Sequence, residues 1–117
     1  MKNGCKSFTK TTSKYHSKIT MVGDKKFHSK KEADRFVELT LMEKAKVIQD
    51  LKTQVRFPLI KKSEYGREIV YVADFVYYQD GQMVVEDTKS PITKNNPVYR
   101  LKKRMMAELY SIELKET

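Results

Sequence analysis

Residues 69–89 read as two strands joined by a tight turn, and this hairpin limits what else the chain can build. Ile69-Val70-Tyr71-Val72-Ala73-Asp74-Phe75-Val76-Tyr77-Tyr78 and Met83-Val84-Val85-Glu86-Asp87-Thr88-Lys89 are rich in β-branched and aromatic residues. Between them, Gln79-Asp80-Gly81-Gln82 carries the Asp-Gly pair of a tight hairpin turn. Side chains alternate along a strand, so Val72, Asp74 and Val76 are expected on one face of the first run and Val85, Asp87 and Lys89 on one face of the second. Glu86 is expected to point the other way.

Acids set among valines on a strand are unfavourable to bury unless they are paired or bind a cation. The spacing leaves two readings open. Either Asp87 and Lys89 line a solvated face, or Asp74, Asp87 and Lys89 meet at one point, giving the two carboxylates and one ammonium that a Mg²⁺-dependent phosphodiester hydrolase needs.

The rest of the chain bears on that choice through its charge. At 117 residues it has the length of one small domain, and 24 Lys plus Arg against 15 Asp plus Glu give a formal net charge of +9. A polyanionic partner fits this balance, with nucleic acid first among them. The charge is also uneven: residues 1–31 hold nine lysines, among them Lys30 and Lys31, and one acid, Asp24. Between Ser90 and Ala107 stand Lys94, Arg100, Lys102, Lys103 and Arg104 with no acid. Two basic blocks flanking an acidic hairpin suit a phosphate backbone crossing a metal site.

Cys5 is the only cysteine, which excludes an intramolecular disulfide and a zinc site built of Cys ligands. His16 and His28 have no obvious Ser or Cys partner, so a covalent nucleophile is not indicated. No apolar run approaches membrane-spanning length and the N-terminus lacks a signal-peptide segment, so a cytosolic protein is expected, with neither a membrane partner nor a small-molecule cofactor.

Along the chain, residues 1–16 form a polar, Lys-, Ser- and Thr-rich arm with too few apolar groups to fold alone. Lys18 to Val22 and Lys25 to His28 predict a short hairpin. Ser29-Lys30-Lys31-Glu32 fits a capping box that opens a helix running to about Lys46. Glu32 lies four residues before Phe36, so it projects from nearly the same side as the apolar line of Phe36 and Leu39. It either caps the helix, supports a metal site, or does both.

Gln54 to Ile60 predicts a first strand of the main sheet, with Pro58 marking either an edge or an interruption there. Ser90 to Pro97, with two prolines, predicts an irregular loop. Val98, Leu101, Met105 and Leu109 then form a helical apolar stripe, expected mostly as core, with Lys102 or Lys103 near its edge as contacts to a scissile strand. Ser111 to Lys115 alternates like a closing strand.

The resulting order of helix, three strands, helix and strand, with Glu32, Asp74, Asp87-Thr88-Lys89 and a following basic helix, resembles the PD-(D/E)XK nuclease superfamily. More narrowly, Phe27-His28-Ser29-Lys30-Lys31-Glu32-Ala33, Tyr71-Val72-Ala73-Asp74-Phe75, Val84-Val85-Glu86-Asp87-Thr88-Lys89 and Tyr99-Arg100-Leu101-Lys102-Lys103 are similar to a small endonuclease family of bacteriophages and prophages. That family resembles Holliday-junction resolvases and transposase endonuclease subunits. Ala73 stands where the superfamily motif has proline, and the third-strand acid is Asp.

The resemblance implies an α/β fold with a restriction-endonuclease-like αβββαβ core, a mixed central sheet, and a single nuclease-like domain over 17–117 behind the basic arm. It implies that Asp74 and Asp87 hold Mg²⁺, for which Mn²⁺ can substitute, that Lys89 positions or activates water, and that Glu32 supports the site. Lys30, Lys31, Lys94, Arg100, Lys102, Lys103 and Arg104 are the expected DNA contacts. The expected activity is Mg²⁺-dependent hydrolysis of branched or structured DNA by a homodimer in the cytoplasm of a phage's bacterial host. The alternative is a DNA-binding or interaction subunit of a phage replication or transposition complex, without turnover.

Overall fold

A computed structural model describes residues 19–117; the expected basic arm, residues 1–16, lies outside the described residues. The chain divides into two compact units, Met1–Glu38 and Leu39–Thr117. In the first, β1 (Thr20–Val22) pairs antiparallel with β2 (Lys25–Phe27), and Gly23 turns the chain at φ +60°. Helix α1 (Lys30–Lys44) follows. Ser29 Oγ accepts from Glu32 N at 3.1 Å, and Glu32 Oε1 accepts from His28 N at 3.3 Å, so the carboxylate of the predicted capping box reaches one residue beyond the cap. The Phe27 and Phe36 rings lie 5.0 Å apart.

In the second unit α1 stops where Lys46 takes φ +65°. Lys46 N donates to Glu43 O at 3.0 Å and Val47 N to Met42 O at 2.9 Å, a Schellman-type end. Strand β3 (Gln49–Ile60) then begins five residues earlier than the alternation at Gln54 predicts. Leu51 N donates to the Glu43 carboxylate at 3.0 Å, which draws the start of the strand back to the helix end. β4 (Ile69–Gln79) and β5 (Gln82–Asp87) follow, then α2 (Pro91–Lys94), α3 (Pro97–Tyr110) and β6 (Lys115–Glu116).

The main sheet has the order β3-β4-β5-β6, antiparallel except for the parallel β5–β6 pair. The fold is therefore mixed α/β on a mixed sheet, with helix, three strands, helix and strand in that order and one short extra helix. β3 is an edge strand, as Pro58 implies, and Tyr110 Oη caps the Pro58 carbonyl at 2.6 Å.

At the β4–β5 turn, Asp80 and Gly81 have φ of +54° and +80°, the paired positive values of a type I′ turn. With Gln79 opposite Gln82, the register runs through Val76 and Val85 to Phe75 and Glu86. Phe75, Val76 and Tyr77 are all buried, so this stretch of β4 is covered on both faces. Glu86, fully buried, takes the Tyr77 hydroxyl as donor.

Two expectations change. The prolines of the predicted loop each open a helix. Ser90 Oγ accepts from Thr93 N at 3.2 Å ahead of Pro91, and Asn96 Oδ1 accepts from Val98 N at 2.8 Å ahead of Pro97. Proline's fixed φ and missing N–H suit the first helical position, so each proline starts a helix instead of breaking regular structure. The stripe expected as core on α3 is also displaced: Met105 packs against the core, but Val98, Leu101 and Leu109 are more than half exposed, while Tyr99 and Met106 are buried. Met106 packs with Val76, Val85 and Leu114 in the core, and Tyr99 is held by a hydrogen bond to β6, which rotates the buried line around the helix.

Removing the Tyr77 hydroxyl should expose how far the sheet depends on that buried link. Tyr77→Phe leaves the Glu86 carboxylate without its phenol donor and should lower unfolding free energy by about 1–3 kcal/mol in urea denaturation. Tyr65→Phe, at a side chain 91 % exposed, should leave the midpoint unchanged.

Candidate functional site

The register that puts Val76 beside Val85 brings Asp74 on β4 alongside the end of β5, where Thr88 N donates to Asp74 Oδ2 at 2.9 Å. Asp87 is 1 % exposed, and its Oδ2 accepts from Tyr71 Oη at 2.5 Å and lies 3.4 Å from Lys89 Nζ. Both aspartates act on the same two tyrosines, since their charges each help to hold the Tyr71 and Tyr99 hydroxyls protonated. The expected gathering of Asp74, Asp87 and Lys89 is thus present, and Asp87 and Lys89 share a side. Glu86 is separately bound to Tyr77, with Lys115 Nζ 4.0 Å away.

The backbone of the triplet is fixed from both flanks. Asp74 holds Thr88 N on one side; on the other, Thr117 N donates to Asp87 O at 3.0 Å and Lys89 N donates to Thr117 O at 3.2 Å, which extends the parallel pairing beyond β6. Lys89 Nζ sits 4.7 Å from the centroid of the Tyr99 ring, within cation–π range. Tyr99 Oη in turn donates to Glu116 Oε2 at 2.5 Å, and Lys103 Nζ lies 3.3 Å from that same oxygen.

Burial first, then the hydrogen bond to Asp87, pushes the Tyr71 hydroxyl far above its ordinary value; burial and the bond to Glu116 do the same for Tyr99. Both are phenols at neutral pH and act as donors. The Tyr99 hydrogen bond, with Lys103 adding to it, outweighs burial and holds the Glu116 carboxyl below its ordinary value.

Tyr71 and Lys89 both reach Oδ2 of the buried Asp87 carboxylate. Carboxylate oxygens such as those of Asp74 and Asp87 are the donor type that would suit a hard divalent cation. Among the described residues no group of three His, Cys, Asp or Glu side chains is placed to hold a metal ion.

The other expected site residues divide. Glu32, in the first unit, is 4 % exposed and closes the start of α1. Lys30 pairs with Asp34 at 2.9 Å on an exposed surface, and Lys31 is exposed beside it. In the second unit a cleft of about 520 Å³ is lined by Tyr71, Lys89, Thr93, Asn96, Tyr99 and Lys102. Lys94, Arg100, Lys103 and Arg104 instead line a separate cleft of about 450 Å³. The sequence offered Lys102 and Lys103 as alternatives; the helix turns them to different clefts.

Tyr71, Tyr99 and Glu116 are the contributors that the sequence reading missed. Tyr71 and Tyr99 stand in the motif segments quoted above, but nothing local signals which residues their hydroxyls reach. Glu116 meets Tyr99 only through the tertiary fold.

The chain belongs to the family described as a protein of unknown function, DUF1064, whose model matches residues 12–117. No curated protein and no solved structure matches it. Among the described residues no helix is long and apolar enough to cross a membrane.

Glu116 gives the site an acid dependence. Its carboxyl titrates lower when folded than unfolded, so the stability it contributes is present above the ordinary value of 4.5 and is lost as pH falls through the lowered one. Glu116→Gln should therefore flatten the acid limb of stability against pH, measured by urea unfolding from neutral pH downward, because its side chain no longer titrates.

Proposed function

We propose that the chain is a metal-dependent DNA endonuclease that hydrolyses phosphodiester bonds in branched or structured DNA. The observation that carries this reading is the buried Asp87 carboxylate at the end of β5, with Lys89 Nζ 3.4 Å from its Oδ2 and Asp74 on the neighbouring strand holding the Thr88 amide between them in sequence. The resemblance of the αβββαβ order and the Asp74, Asp87-Thr88-Lys89 pattern to PD-(D/E)XK nucleases supports the same reading, as does the net charge of +9.

Asp74 and Asp87 would hold Mg²⁺, which when bound supplies Lewis-acid polarisation of the phosphate and a more acidic water. The Tyr71 hydroxyl fixes Asp87 Oδ2 and so orients Oδ1. Lys89, steadied by Asp87 and by the Tyr99 ring, carries an ammonium that can orient the attacking water and stabilise charge developing on the phosphate. Lys102, in the same cleft, adds positive charge for the strand. Resolving a junction takes two coordinated cuts, and a chain with one such site supplies them as a homodimer.

Cleavage of a labelled four-way junction beside a matched linear duplex, with Mg²⁺, Mn²⁺ or EDTA, tests this. Paired symmetric nicks in the junction, absent in EDTA, are expected. Asp74→Asn and Asp87→Asn should abolish product, and Lys89→Ala should slow cutting by roughly 10²–10³-fold, the range for losing one charge-stabilising donor. Cutting of both substrates would indicate a nuclease of broader choice. Binding without product in any metal would overturn the enzymatic reading.

A further inference from the structure

The second cleft has a chemical character of its own. Lys94, Arg100, Lys103 and Arg104 bring four cations to its walls against two carboxylates, Glu113 and Glu116. Lys94 and Arg100 make no side-chain hydrogen bond or ion pair among the described residues, and Arg104 is only loosely paired with Glu108 at 3.9 Å. Lys103 is held by Glu116 Oε2 at 3.3 Å. The Lys94 charge also helps to lower the Glu116 carboxyl, yet four cations facing two carboxylates around a concave surface still favour an anion, and guanidinium groups suit phosphate in particular.

The two clefts are separate but adjacent: Glu116 lines one, Tyr99 lines the other, and a hydrogen bond of 2.5 Å connects these two residues. A strand lying against Lys89 and Lys102 would pass beside this bond to reach the second basic surface.

We infer that this second cleft seats another backbone phosphate of the nucleic-acid strand whose reacting phosphate lies at Lys89, with Lys94 and Arg100 as its principal ligands and Glu116 as an internal rival for Lys103. The position of the strand rests on the nuclease reading; the anion site itself rests on the cleft. Glu116 occupies Lys103 as a phosphate would, so neutralising it frees that cation for the strand and removes a repelling charge.

Binding of a labelled oligonucleotide by the full-length protein in EDTA, followed by fluorescence anisotropy across salt concentrations, separates the two. Lys94→Ala combined with Arg100→Ala should weaken binding by about 10-fold or more and reduce the salt slope by roughly 1 for each phosphate no longer neutralised. Glu116→Gln should tighten binding severalfold. Lys62→Ala, which removes one charge from an exposed loop outside either cleft, should have little effect. Lys94 and Arg100 are exposed and make no such bonds, so these variants should fold, as thermal melts of each would verify.

Equal weakening by Lys62→Ala and by Arg100→Ala alone would reduce the effect to net charge and overturn the inference. Unchanged affinity in the double variant would overturn it even if the enzyme cuts DNA. Cleft-dependent binding without cleavage in Mg²⁺ would sustain the inference and remove the nuclease reading. Displacement of the strand by inorganic phosphate at concentrations where chloride of equal ionic strength has no effect would identify a free-anion site and overturn the strand assignment.

Discussion

Two acids on neighbouring strands must be given polar partners if they are to sit in or beside a core, and the second unit supplies one to each. Asp74 is answered by the Thr88 amide, and Asp87 by the Tyr71 hydroxyl and the Lys89 ammonium. These partners come from β4, from the segment after β5 and, through Tyr99 beneath Lys89, from α3. The placing of α3 follows: the helix turns Tyr99 and Met106 inward and leaves Val98 and Leu101 at the surface.

The tyrosines connect this cluster to the remainder of the sheet. Each takes its hydroxyl to a carboxylate: Tyr71 to Asp87, Tyr77 to Glu86 and Tyr99 to Glu116. A phenol is long enough to bridge elements, apolar enough for a core, and neutral, so it satisfies a carboxylate oxygen without adding another buried charge. This lets the sheet carry acids on both faces around Glu86 and Asp87.

What was legible in the sequence was whatever local chemistry decides. Asp80-Gly81 allows few turns, Ser29-x-x-Glu32 is a recognisable helix start, and β-branched alternation marks β4 and β5 as strands. The pairing of Asp74, Asp87 and Lys89 was readable because period and turn together imply a register. What escaped depends on distant partners. Pro91 and Pro97 could break structure or begin it, and the capping of Ser90 and Asn96 decides. Ser111 to Leu114 alternates as a strand would, yet only Lys115–Glu116 finds a partner in β5, after Ser111 closes α3 in the left-handed conformation. The broad apolar arc of α3 did not specify which part is buried, since that follows from where Glu116 meets Tyr99.

The turn at Asp80-Gly81 also acts as a ruler. It is exposed and lies at the far end of β5 from Asp87, yet its two-residue length determines which of two adjacent acids meets Tyr71. A slip of one residue in a strand pairing exchanges its faces, so Glu86 would come forward in place of Asp87 and Lys89 would turn away. Length at this surface tip is therefore constrained as tightly as identity at the buried site, and the positive φ of Asp80 and Gly81 narrows the choice of residue there as well.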